Sequence, residues 1–271
     1  MTSQLYFQLE QEAHVIRSSI AVGLTHLRQA NLHEKGAFYT AFFQLAIGFE
    51  RMAKLGIVLD HLAHHNLNPP GPNMMKDLGH DLVALRQKVE KISMLRAYQI
   101  DTSFSLSVLG QRILDFLSRF ARGMRYANLD GLSSGRALPT PFSEWEPILR
   151  GIITSKVRSK SIEKFTRASS AMQDILGDLT VITGTGLTGI PLNFQSAYST
   201  PEIYNLAAPH VIWEMLLLLA PLRDVVVAAA HVAAGLPKLS GQDQEIPYMP
   251  EFFGFICLER SWQMRRKRWP G

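Results

Sequence analysis

The chain has 271 residues, 46% apolar and 19% charged, a composition that excludes disorder and suits one elaborated domain or two lobes. One cysteine, Cys257, excludes an internal disulfide and a cysteine-based metal cluster and fits a reducing compartment. A net charge of +5 favours anionic partners without choosing between nucleic acid and a membrane surface.

The opening MTSQLYFQLEQEAH carries Glu10 and Glu12 where an export signal needs a basic start and an apolar run, so a bacterial cytoplasmic location is expected. Leu5, Leu9, Val15, Ile16, Ile20, Leu24 and Leu27 predict a first helix over 4–32. After a short break, FYTAFFQLAIGFERMAKLGIVLDHLAHH predicts a long, mostly buried helix over 38–65, antiparallel to the first. Leu45, Met52, Leu55, Leu59 and Leu62 form one apolar line and Phe43, Ile47 and Ile57 another. Glu50, Lys54 and His61 share the second line, and are expected to face the fourth helix near Arg119 to Arg125.

Pro69, Pro70 and Pro72 around Gly71 end that helix in a surface turn. Leu78, Leu82, Leu85, Val89 and Ile92 predict a third helix over 75–94. A fourth is expected from Asp101, where Asp-Thr-Ser offers capping oxygens, to about residue 130. Its apolar side holds Ile113, Leu117, Phe120 and Met124, and Arg112, Asp115, Arg119 and Arg122 lie across from them. Arg125 sits near its C-terminal end.

The stretch GLSSGRALPTP at 131–141 reads as the boundary between a bundle over 1–130 and an extension over 142–271. Residues 143–178 predict one or two helices, and 150–167 hold six Lys or Arg against Glu163 alone. Residues 179–207, rich in Gly, Pro and hydroxyls, read as an irregular loop with one short strand. Residues 208–235 predict a long apolar helix bent at Pro221, interrupted by Glu214, Arg223 and Asp224, which favours a buried core helix over a membrane crossing.

Several patterns invite chemistry and have a plainer reading beside it. TGTGLTG at 183–189 satisfies a nucleotide-binding glycine pattern, but Ile190-Pro191 follows where a helix should start, so a loop is expected. His61, His64, His65 and His80 with Asp60, Asp77 and Asp81 lack the spacing of a zinc motif; helix-end capping by His64 and His65 is expected and no metal or other cofactor. The basic window at 150–167, with Arg158 and Lys160, and the tail Arg265 to Arg268 are either phosphate-binding surfaces, with Trp262 and Trp269 to stack on bases, or solvated faces.

Three pieces, FERMAKLGIVLDH, LGHDLVAL at 78–85 and FARGMRYANLD at 120–130, resemble the HEPN superfamily over residues 4–130. The resemblance implies an up-and-down helical bundle that dimerises and, in many members, a metal-independent ribonuclease of toxin, abortive-infection or antiviral systems. It implies a catalytic Arg followed four to six residues later by His on the final helix, where imidazole moves the proton and guanidinium stabilises phosphate charge. This sequence departs from the pattern: Arg119, Arg122 and Arg125 are followed by Tyr126, Asn128 and Asp130, and Arg28…His33 has the spacing but precedes the long helix.

The expectation is an all-α protein that binds or cleaves RNA as part of a bacterial defence or toxin system. Arg125, His80 and Asn128 lie at the phosphate, Arg119, Arg122, Arg158 and Lys160 along the RNA, and Glu50, Lys54 and His61 behind them. A homodimer, and a partner protein such as an antitoxin or defence component, are expected with it. The competing expectation is a non-catalytic interaction or dimerisation module whose polar residues fix packing.

Overall fold

The computed structural model describes residues 3–136, 138–236 and 246–270. The fold is all-α, as expected. Helices α1 (Gln4–Gln29) and α2 (Lys35–His64) form a hairpin, and α3 (Pro72–Asp77), α4 (Leu82–Leu95), α5 (Val108–Arg122) and α6 (Ala127–Ser134) follow. Then come α7 (Pro141–Lys156), α8 (Ser159–Leu176), α9 (Phe194–Ala234) and the short α10 (Pro250–Phe253) and α11 (Arg260–Arg265).

The hairpin is tight because glycine stands on each helix at the crossing. A Cβ on Gly23 would lie 2.6 Å from Leu45 Cγ, and one on Gly48 would lie 2.6 Å from Ile20 Cγ1. The rest of α2 is sheathed by α4, α5 and α9, which explains why it is apolar on nearly every side.

Phe42 of α2, Phe116 of α5 and Trp145 of α7 meet at ring-centroid distances of 4.7, 4.9 and 5.1 Å, and all three are buried. One hydrophobic core therefore includes residues on both sides of the 131–141 stretch. That stretch is itself partly helical, since α6 runs on to Ser134 and stops at Gly135, whose φ of +66° is open to glycine at no steric cost.

The helix α9 spans 41 residues and packs against α1, α2, α4, α5, α7 and α8. Among the described residues it alone is long and apolar enough to cross a membrane, and 67% of its most apolar window is buried within the protein. Its buried acids tie down the link between α4 and α5. Asp224 accepts from the Thr102 hydroxyl at 2.7 Å and the Thr102 amide at 3.1 Å, and Glu214 accepts from the Ser107 hydroxyl at 2.6 Å.

Four boundaries differ from expectation. The third helix is two: Gly79, at φ +60°, breaks it, and Asp81 caps α4 by accepting from the amides of Val83 and Ala84 at 3.0 and 3.1 Å. The fourth starts at Val108 rather than Asp101, because the Thr102 oxygen is engaged by Asp224 and Ser107 accepts from the Gly110 amide at 2.9 Å instead. It ends at Gly123, not near 130. The irregular loop ends at Asn193, whose side chain accepts from the Ser196 amide and starts α9; Pro201 is absorbed inside that helix, buried against the bundle. The short strand is a single bridge, Thr185 to Pro191, in a turn that Lys35 ties down through Thr185 Oγ1 at 3.1 Å.

Candidate functional site

The groups with the most chemical potential converge beside the middle of α2. A pocket of about 220 Å³ is lined by Phe43, Ala46, Ile47, Glu50 and Arg51 of α2, His80, Phe120 and Ala121 of α5, and Arg125. His80 Nδ1 lies 3.0 Å from Oε1 and 3.0 Å from Oε2 of Glu50, whose Oε1 also accepts from Lys54 Nζ at 2.7 Å. The Glu50 side chain is 18% exposed and that of His80 is 69% exposed, so the carboxylate is sheltered while the imidazole meets solvent.

Each group is positioned by local structure. Glu50 and Lys54 stand one turn apart on α2 in the favourable order. His80 rides the turn between Gly79 and Asp81, which is clamped on its far side. Asp81 accepts from the Ser118 hydroxyl at 3.0 Å and pairs with Arg122 at 3.1 Å. Hydrogen bonding from the Ala84 amide, the Ser118 hydroxyl and the Val83 amide, with Arg122 close by, outweighs partial burial and holds the Asp81 carboxyl below the usual carboxylate range.

Arg125 follows the Gly123 break and is held by its backbone, because the Tyr39 hydroxyl donates to its carbonyl at 3.0 Å. Its guanidinium carbon lies 5.0 Å from the Tyr126 ring centre, and its buried Nε has no protein partner among the described residues. Lys54 compensates Glu50 and Glu12 pairs Arg51 at 2.7 Å. No carboxylate of the described residues lies within ion-pair distance of Arg125. The pocket thus combines a carboxylate-buttressed imidazole, a guanidinium without a carboxylate partner and the exposed Phe43 ring, which suits an anionic ligand with a flat ring.

The other expected site residues lie elsewhere. Arg119 pairs with Glu144 at 2.9 Å and Arg122 with Asp81, so both work within the fold. Asn128 is exposed on α6 and does not line the pocket. Arg158 stands ahead of α8, and Lys160 lines a surface hollow with Glu163, Lys164 and Arg167. The polar line of α2 divides. Glu50 lines the pocket that Arg125 also lines, Lys54 borders a neighbouring apolar groove with Leu5 and Val58, and His61 stacks on His65 at 3.9 Å near the end of the helix. Burial first and His65 second push the His61 imidazole below its ordinary value, against Asp60.

Among the described residues no three His, Cys, Asp or Glu side chains gather in a metal-binding arrangement. Two residues that hold the His80 turn had no such role in the sequence: Asp81, which stood only in the metal-like pattern, and Ser118. The position of Asp81 immediately ahead of the periodic Leu82, Leu85 and Val89 was a capping signal; nothing in the sequence marked Ser118. Comparison with protein-family models, with curated proteins and with solved structures found no match.

Proposed function

We propose that the pocket between α2, the His80 turn and Arg125 binds RNA and cleaves it without a metal ion. The observation that carries this reading is the Glu50–His80 pair standing in one pocket with Arg125. Glu50 accepts the Nδ1 proton of His80, which leaves Nε2 bare as the base. That nitrogen takes the proton of a ribose 2′-hydroxyl, the 2′-oxygen attacks the adjacent phosphorus, and the 5′-oxygen leaves with a proton from solvent. Arg125 offsets the charge that builds on the phosphoryl oxygens. The products are a 2′,3′-cyclic phosphate and a 5′-hydroxyl.

A role in a bacterial defence or toxin system, in the cytoplasm, belongs to the same proposal and draws on the resemblance of residues 4–130 to HEPN proteins. The second reading, a non-catalytic interaction or dimerisation module, is favoured by α6, where Leu129 and Leu132 are 65% and 82% exposed.

One experiment separates them. The full chain is incubated with total and structured RNA in chelator, beside His80→Ala and Arg125→Ala. Cleavage to cyclic-phosphate ends that both substitutions abolish supports the nuclease. Equal cleavage by all three proteins, or none by any, removes it, and recovery of one stoichiometric protein partner without RNA then supports the module.

A further inference from the structure

Another cavity, of about 490 Å³, opens where α7, α9 and α11 meet the start of α5. Lys156 closes α7, His210, Trp213 and Glu214 come from α9, Arg260 opens α11, and Ser107 adds the N-cap of α5. The size is that of a small-molecule site. Its charge is unbalanced: Lys156 and Arg260 have no carboxylate within ion-pair distance among the described residues, while Glu214 alone faces them, 5% exposed and accepting the Ser107 hydroxyl. Two permanent cations against one carboxylate leave the cavity positive with His210 neutral.

We infer that this cavity binds a nucleoside monophosphate, its phosphate between Lys156 and Arg260 and its base on the Trp213 indole. Arg260 stands over the Trp213 ring, its guanidinium carbon 5.9 Å from the ring centre, so the cation and the indole belong to one site. Glu214 is the acceptor for a ribose hydroxyl or an exocyclic amine, groups that inorganic phosphate lacks. The two cations act on the imidazole beside them: burial first, then Arg260 and Lys156, push the His210 pKa down against the opposing pull of Glu214.

The test is calorimetry on the full chain with adenosine monophosphate, adenosine and inorganic phosphate. The expected result is one site that holds the monophosphate at least about tenfold more tightly than either fragment, and about tenfold more weakly in Lys156→Ala, Arg260→Ala and Trp213→Leu. Lys156 and Arg260 are exposed, so their substitutions leave the fold in place. Equal affinity for all three ligands, or monophosphate binding unchanged in Arg260→Ala and Trp213→Leu, overturns the inference. RNA cleavage through His80 is read separately, so either proposal can fail alone.

Discussion

His80 Nδ1 is equidistant from the two carboxylate oxygens of Glu50, 3.0 Å from each, although the residues are 30 positions apart in sequence. A base held by a carboxylate depends on its partner less than on itself. The proposed nuclease predicts that His80→Ala lowers metal-independent RNA cleavage by about 10²–10⁴. Glu50→Gln should lower it by about 10–100-fold, because the amide orients the ring without stabilising the imidazolium. Rates across pH 5–9 check this, and an unaltered profile in Glu50→Gln would detach the carboxylate from the reaction.

Two glycine-to-alanine changes on α2 have opposite signs, one at the crossing with α1 and one facing α9. At Gly48 the new methyl meets Ile20 Cγ1 at 2.6 Å and the Ile20 amide nitrogen at 3.2 Å, and the backbone must give way. Gly48→Ala should destabilise by about 1–3 kcal/mol. At Gly56 the nearest atom is Val226 Cγ2 at 3.5 Å, an ordinary contact, so Gly56→Ala should stabilise by about 0.5–1 kcal/mol. Urea midpoints that move in the same direction for both would contradict the geometry.

Asp81 predicts how the His80 turn responds to acid. Its carboxyl pKa is depressed in the folded chain, chiefly by the Ala84 amide. Its contribution is therefore complete above the ordinary carboxylate value of about 4 and is lost as pH falls through the lower folded value. Asp81→Asn, which keeps a capping oxygen and loses the charge, should be slightly less stable at pH 7 and lose stability less steeply below pH 4 than the parent. Parallel acid-unfolding curves would show that the cap is not ionic.

Thr102 and Asp224 form the contact through which α9 holds the α4–α5 link. Asp224→Ala leaves the Thr102 donors and Arg223 without their acceptor and should cost about 1–3 kcal/mol. In a double-mutant cycle, Thr102→Val should cost less once Asp224 is already alanine. Additive losses would mean that the two side chains do not act together.

Helix existence was legible where periodicity ran unbroken, as in α1 and α2, whose ends lie within about three residues of expectation. It failed where a side chain served a distant partner. Thr102 resembles a helix cap locally but bonds Asp224, and Pro201 resembles a loop residue but lies inside α9 because burial against the bundle outweighs its missing amide. Glu50, His80 and Arg125 could be chosen from the sequence as polar groups on or beside apolar helices. Asn128 could not be discarded there, because its exclusion depends on the Gly123 break and the turn at Met124–Tyr126, which carry the chain from α5 into α6.

The reach of α9 also orders events in time. Gly56 of α2 packs on Val226, and the link that leads into α5 hangs from Asp224 and Glu214. The wall of the His80 pocket supplied by α5 therefore rests on residues synthesised about 100 positions after the pocket's own last member, a lag of roughly 5–20 s on the ribosome. Until then the nascent chain carries its arginine and histidine without the scaffold that brings them together, so any activity of this pocket begins only when nearly the whole polypeptide has been made.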